Sequence, residues 1–256
     1  MTMKKSQKSQ GFTLVEILFA LFIGGLLVSA IYFVLISGQK SSIGIERKVA
    51  AQGDVRAALE IMALEISMAS FNPFFETGIW RPSPAEYSGA GTYCTGTAST
   101  MAFRGIQEAT PTSILVEMDI GGASHSIGDY GNELIRYAFD SDTANECVTR
   151  ETNCGGDQPF LGRSGTSTSG PRNVRVINKR LGINNGAGNP AIFRYYDAKN
   201  PATELYPDTD PTAIPRIRRI DITLAVETEE IDPSTKKPRQ MIYTTSVIPR
   251  NHALVF

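Results

Sequence analysis

The chain has 256 residues, 25 Lys plus Arg against 26 Asp plus Glu, and a net charge of −1. That length holds one or two domains, and the near-neutral balance gives no reason to expect a nucleic-acid partner. Hydrophobic residues make up 41% and charged residues 20% of the whole, yet the apolar excess lies in the first quarter and the remainder is rich in Gly, Pro, Ser and Thr.

The first element is an N-terminal leader carrying Lys4, Lys5 and Lys8. Residues 17–36, ILFALFIGGLLVSAIYFVLI, then run without a charge. At about 1.5 Å per residue these twenty positions span a hydrocarbon core of about 30 Å. A buried core helix would show a polar face, and this segment has none, so it is read as a membrane span. The lysines before it keep the N-terminus cytoplasmic and send the rest outward. The run is too long for a cleaved secretory signal, and SGQKSS follows it in place of a small-residue cleavage site.

The chain does not break after the span. Val55, Leu59, Met62 and Ile66 recur at helical spacing, with Asp54, Arg56, Glu60 and Glu65 on the wet side. One helix from about Thr13 to Ser70 is expected, stopped at FNPFF by Pro73. Its second half carries one apolar stripe that needs a partner surface.

Beyond Pro73 the text reads as strand and loop. TMAFRGI, SILVEMDI, NELIRYAFD and AIFRYYDA are expected strands. The clearest unit is a hairpin: Ile220, Ile222, Leu224 and Val226 share one face, DPSTKKP turns, and MIYTTSVI returns. Residues 155–171 read as loop. The expected fold is α+β, a long N-terminal helix packed on an antiparallel sheet.

The segment Gly11, Phe12, Thr13, Leu14, Val15, Glu16, after a lysine-rich leader and directly before the span, resembles the class III signal of type IV pilins and of type II secretion pseudopilins. Residues 52–73, QGDVRAALEIMALEISMASFNP, and 217–251, ending in VIPRN, are similar to the corresponding parts of PilW-type minor pilins, and J-type pseudopilins share much of the layout. The middle of the chain carries little of the resemblance. The resemblance implies a pilin-like fold and cleavage after Gly11 by a prepilin peptidase, which methylates Phe12 as the new N-terminus. It implies a domain plan of leader 1–11, span 12–36, amphipathic helix 37–72 and exported β-rich domain 73–256. Implied partners are other minor and major pilins, the inner-membrane assembly platform and the lipid bilayer; no specific nucleic acid is expected. Loss of the leader takes the net charge from −1 to −4.

In that picture Glu16, an acid at the edge of the span, pairs with the ammonium of Phe12 within a subunit or between subunits. The implied role is a minor pilin that initiates or caps a type IV pilus. A J-type pseudopilin, and outside the family a membrane-tethered binding module or enzyme, are the alternatives. One departure is that no proline interrupts the apolar helix, leaving Gly24 and Gly25 as its weak points.

Three cysteines, Cys94, Cys147 and Cys154, lie after the span. Cys147 and Cys154 would close a short loop, with Cys94 as the competing partner or free thiol. His125 and His252 read as solvated, and no GxSxG, HExxH or Walker pattern occurs, so no enzyme is expected. No cofactor is expected either. Asp140 and Asp142, and Asp208 and Asp210, are weak calcium candidates without EF-hand spacing.

Overall fold

The structure is a computed structural model describing residues 12–76, 79–80, 104–122, 125, 127–142, 146–162, 174–229, 231–233 and 235–253. One helix, α1 (Leu14–Ser67), carries the first quarter of the chain over 54 residues, about 80 Å at the α-helical rise. It runs unbroken through Gly24 and Gly25, where the Ser29 hydroxyl donates to the Gly25 carbonyl at 2.8 Å. It ends before Pro73. Ser70 adopts a left-handed backbone, φ 65°, and donates its N–H to the Glu117 carbonyl at 2.9 Å. The chain therefore leaves the helix at a position fixed by the sheet, and the proline follows a turn already made.

Among the described residues, ten strands form two antiparallel five-stranded sheets. The first runs in chain order: β1 (Ile106–Ala109), β2 (Ser113–Glu117), β3 (Leu134–Asp140), β4 (Cys147–Thr152) and β5 (Gln158–Leu161). The second has the order β10 (Gln240–Val247), β9 (Arg219–Thr228), β7 (Phe193–Tyr196), β8 (Glu204–Leu205). Short β6 (Val174–Val176) pairs with the far end of β9, Val174 opposite Thr228. The last hairpin has a continuous register from Gln240 opposite Glu227 to Val247 opposite Ile220.

Three expected strands are present in shortened form as β2, β3 and β7, whereas the strand expected at TMAFRGI shares only Ile106 with β1. Residues 100–103 lie outside the described residues. The segment expected to be loop from 155 onward contains β5, which pairs with β4; β4, β6 and β8 also had no counterpart in the sequence reading.

The helix stripe and both sheets share one core. Val55, Leu59, Met62 and Ile66 pack with Ile114, Val116, Tyr137 and Val148 of the first sheet and Ile220, Ile222, Leu224 and Val226 of the second. Burying each such aliphatic side chain contributes about 1.5–3 kcal/mol. The other face of β2 is covered too, since Leu115 packs with Trp80, Ile127 and Leu134. That is why SILVE is buried at every position instead of alternating.

Glu65 departs from its expected place on the wet side. Its carboxylate turns toward the first sheet, where Arg150 Nη2 and Nε donate to it at 2.6 and 3.1 Å, and the Tyr137 hydroxyl donates as well. Burial, reinforced by this carboxylate, pushes the Tyr137 phenol far above its ordinary value.

Candidate functional site

The N-terminal end of α1 is organised by Thr13 and Glu16. Thr13 is the N-cap: its Oγ1 accepts from the Glu16 N–H at 3.3 Å, and Glu16 Oε2 accepts from the Thr13 N–H at 2.9 Å and the Thr13 hydroxyl at 3.0 Å. This is a reciprocal capping box, which satisfies helix N–H groups that have no intrahelical acceptor. An acid in the first turn also meets the positive end of the helix dipole. The T-x-x-E spacing of this box stands in the sequence, and it gives Glu16 a partner besides the Phe12 amine. With the chain continuous through Gly11 the Phe12 nitrogen is an uncharged amide, and the carboxylate is held by Thr13.

Above this cap the helix is apolar all round. Every large apolar side chain from Phe12 to Leu35 is more than half exposed, and Phe12 itself is 85% exposed. An apolar surface of this extent is not compatible with water on all sides and calls for lipid or neighbouring helices. The same helix is the one candidate membrane span among the described residues, by length and composition. Gly11 and the leader lysines lie outside the described residues.

The cysteines depart from expectation. Cys147 is a free, buried thiol at the start of β4, whereas Cys154 is disulfide-bonded. The Cys147–Cys154 bridge fails on geometry. β4 is extended from Cys147 to Thr152, which separates its ends by roughly 16 Å at about 3.3 Å per residue, and the two steps on to Cys154 can bring the chain back by at most about 7.6 Å, leaving more than the ~4.4–6.8 Å that a disulfide tolerates between Cα atoms. Burial pushes the Cys147 thiol up to about 11, so little thiolate forms. Cys94 lies outside the described residues.

The acidic candidates serve local turns. Asp140 Oδ1 accepts from the Asp142 N–H at 2.9 Å, and Asp210 caps the 3-10 helix Pro211–Arg216 through the Thr212 N–H at 3.2 Å. Asp208 is exposed in the preceding turn. Among the described residues no three His, Cys, Asp or Glu side chains are grouped to hold a metal ion.

Neither histidine is simply solvated. His125 packs against Phe74 with the rings tilted by 47° and their centroids 3.8 Å apart. His252 is buried: Nδ1 lies 2.6 Å from the Arg104 carbonyl and 3.0 Å from Ser70 Oγ, and Nε2 lies 2.8 Å from the Ile214 carbonyl. Burial lowers its pKa, against the pull of the two carbonyls. It clasps the helix end to the C-terminal tail. A groove of about 310 Å³ beside Ile61 and Phe160 has Glu65 and Arg150 as its only titratable lining, and these are engaged with each other.

A capped, fully apolar N-terminal helix that continues into an amphipathic half packed on antiparallel sheets defines a membrane-anchored, pilin-like α+β protein. The family profile of the prokaryotic N-terminal methylation motif matches residues 6–32, so the chain carries the N-terminal segment of a type IV pilin-like precursor. No curated protein and no solved structure matches the chain.

Proposed function

We propose that the protein is a minor pilin, a structural subunit that helps initiate or cap a type IV pilus after cleavage behind Gly11 and methylation of Phe12. The observation that carries this reading is Glu16, held in a capping box one helical turn from Phe12 at the head of an exposed apolar helix. Cleavage turns the Phe12 amide into an ammonium beside that carboxylate. Glu16 then gains a charged partner, in its own subunit or in the one already assembled, and the attraction is strong where water is scarce although desolvation offsets part of it.

Assembly is the mechanism. The apolar helices leave the bilayer to pack against one another, while the exported sheets line the outside. Prepilin peptidase, the other pilins and the assembly platform of the inner membrane are the partners, and the β-rich domain stands on the periplasmic side. The pilin reading is preferred over a J-type pseudopilin because the helix segment 52–73 and the VIPRN tail are similar to those of PilW-type minor pilins.

Mass analysis of the mature protein tests the processing, with an N-terminus at methylated Phe12 expected. An intact Met1 overturns it. Deleting the gene is expected to abolish surface pili and leave protein secretion intact; the reverse pattern assigns the subunit to a secretion pseudopilus.

A further inference from the structure

The turn between β9 and β10 docks on α1 at the end nearest the membrane. Arg47 Nη1 donates to the Ile231 carbonyl at 3.2 Å. One residue further, Asp232 stands against buried Gly44, where an added Cβ would lie 3.3 Å from Asp232 Oδ1. The step from Ile231 to Asp232 thus moves along the helix from Arg47 toward Gly44 and the apolar run. Past the other end of β10, His252 meets Ser70. The hairpin therefore lies along the helix with its turn aimed at the bilayer.

The vertical distance is short. Ile36, the last residue of the uncharged run, is eight positions before Gly44, a rise of about 12 Å. The headgroup layer outside the hydrocarbon is about 5–7 Å thick on each side. The remaining gap of about 5–7 Å is within reach of lysine side chains on a turn that docks at Gly44.

The turn tip carries such side chains. The Asp232 N–H donates to the Lys237 carbonyl at 3.1 Å and the Lys236 N–H to the Asp232 carbonyl at 2.8 Å, closing a tight turn with Lys236 at φ 57°. Lys236 and Lys237 are both exposed, and so is Lys40 on the helix below. The turn sequence holds three acids, Glu229, Glu230 and Asp232, against Lys236, Lys237 and Arg239; Asp232 is buried and takes a hydrogen bond from Arg239 Nε at 2.6 Å. Glu46 is the exposed acid of the adjoining helix and Glu229 lies 3.7 Å from Arg175. Lys236 and Lys237 thus form an exposed basic pair at the tip of a charge-balanced turn that docks on α1 at Gly44.

We propose that this tip is an anionic-lipid contact: Lys236 and Lys237, with Lys40, rest on phosphate headgroups and set the orientation of the domain on the membrane before assembly. The proposal rests on the membrane-anchored reading. Attraction of each lysine to an anionic surface is worth about five-fold and fades beyond a Debye length of about 10 Å at 0.1 M salt.

Full-length protein with Pro238→Cys, labelled with bimane, goes into vesicles of phosphatidylcholine alone or with phosphatidylglycerol, each containing a headgroup spin-labelled lipid as quencher. The unsubstituted chain taken through the same labelling is the blank. Quenching several-fold stronger with phosphatidylglycerol is expected, together with a fall of about ten-fold or more in the contact equilibrium in K236E/K237E and its loss at high salt. Equal quenching in both lipids, or an unaltered K236E/K237E, overturns the contact while leaving the anchoring intact. Release of the protein from the vesicles by alkaline carbonate overturns the anchored reading itself.

Discussion

Glu65 in the last turns of α1 and Arg150 on β4 form a two-bonded ion pair, with 2.6 Å between Arg150 Nη2 and Glu65 Oε1. The side chains are 23% and 17% exposed, Arg150 and Glu65 respectively, so the pair is screened less than a surface bridge. Deleting one partner of a fully buried pair costs about 3–5 kcal/mol, and residual exposure brings the expectation here to about 1–3 kcal/mol. Glu65→Gln should lower the urea midpoint of the full chain in detergent without changing the slope, the shift multiplied by the slope giving that amount. The paired replacement Glu65→Leu with Arg150→Met should recover part of the loss, because neither charge is then left alone. An unshifted midpoint in Glu65→Gln removes this pair as the link between helix and first sheet.

Gly105 and Gly44 give a contrast in backbone approach. Gly105 has φ +68°, and an added Cβ would stand 2.1 Å from the Ser70 backbone nitrogen. Neither the left-handed backbone nor the helix exit can yield easily, so Gly105→Ala should lose about 2 kcal/mol or more. At Gly44 the obstacle is the movable end of Asp232, and the helical backbone is ordinary. Gly44→Ala should therefore cost under about 1 kcal/mol, since helical Ala also gains about that much over Gly. Thermal melts of the two variants side by side check the ordering.

Much of this architecture is written in the sequence wherever one face is buried and the other wet. β9 alternates Ile220, Asp221, Ile222, Thr223, Leu224, and the helix stripe from Val55 to Ile66 is equally plain. Legibility fails where the partner is distant in the chain. CVTRET gives no strong strand signal because its polar side chains find partners across the fold, as Arg150 does in Glu65. His252 looks like part of a solvated tail until the carbonyls of Arg104 and Ile214 enclose it. The short Cys147–Cys154 loop looks closable in sequence only because loop length ignores that β4 is extended. At the N-terminus the capping box is legible as Thr13-x-x-Glu16, the same glutamate that borders the apolar run.

The burial of His252 makes stability depend on pH. Its folded pKa is lowered from the ordinary value, so the unfolded chain binds the proton more readily. The stabilisation is complete above the unfolded pKa of about 6.5. It declines as pH falls below that value and levels off once pH passes the folded pKa. Wild type should lose stability between roughly pH 7 and pH 5 more steeply than His252→Gln. Parallel slopes in the two proteins, from denaturant midpoints at each pH, would falsify this role for the imidazole.

The free thiol and the bonded one are separable by mass. Cys147→Ser should keep the two-hydrogen mass gain on reduction that a disulfide gives, whereas Cys154→Ser should lose it. Cys147 in the native protein should resist alkylation, since its thiol is buried and its pKa is pushed up to about 11. Rapid labelling of Cys147 under native conditions contradicts its place in the core.

Glu16 has two separable properties, an oxygen that caps the helix and a charge. Glu16→Gln keeps an oxygen that can accept from the Thr13 N–H, where the carboxylate now accepts at 2.9 Å, but removes the charge. Glu16→Ala removes both. If capping is the whole role, Gln should behave as Glu and only Ala should weaken the first turn, by about 1 kcal/mol. If the charge draws the Phe12 ammonium after cleavage, Gln and Ala should be similarly defective. Hydrogen bonds to charged groups are worth about 1.5–3 kcal/mol, so a ten-fold or greater fall in the ratio of sheared-filament to membrane-bound subunit is expected for both variants, with insertion and cleavage preserved. Gln at wild-type levels in filaments would assign Glu16 to helix capping alone and remove the charge from the assembly mechanism.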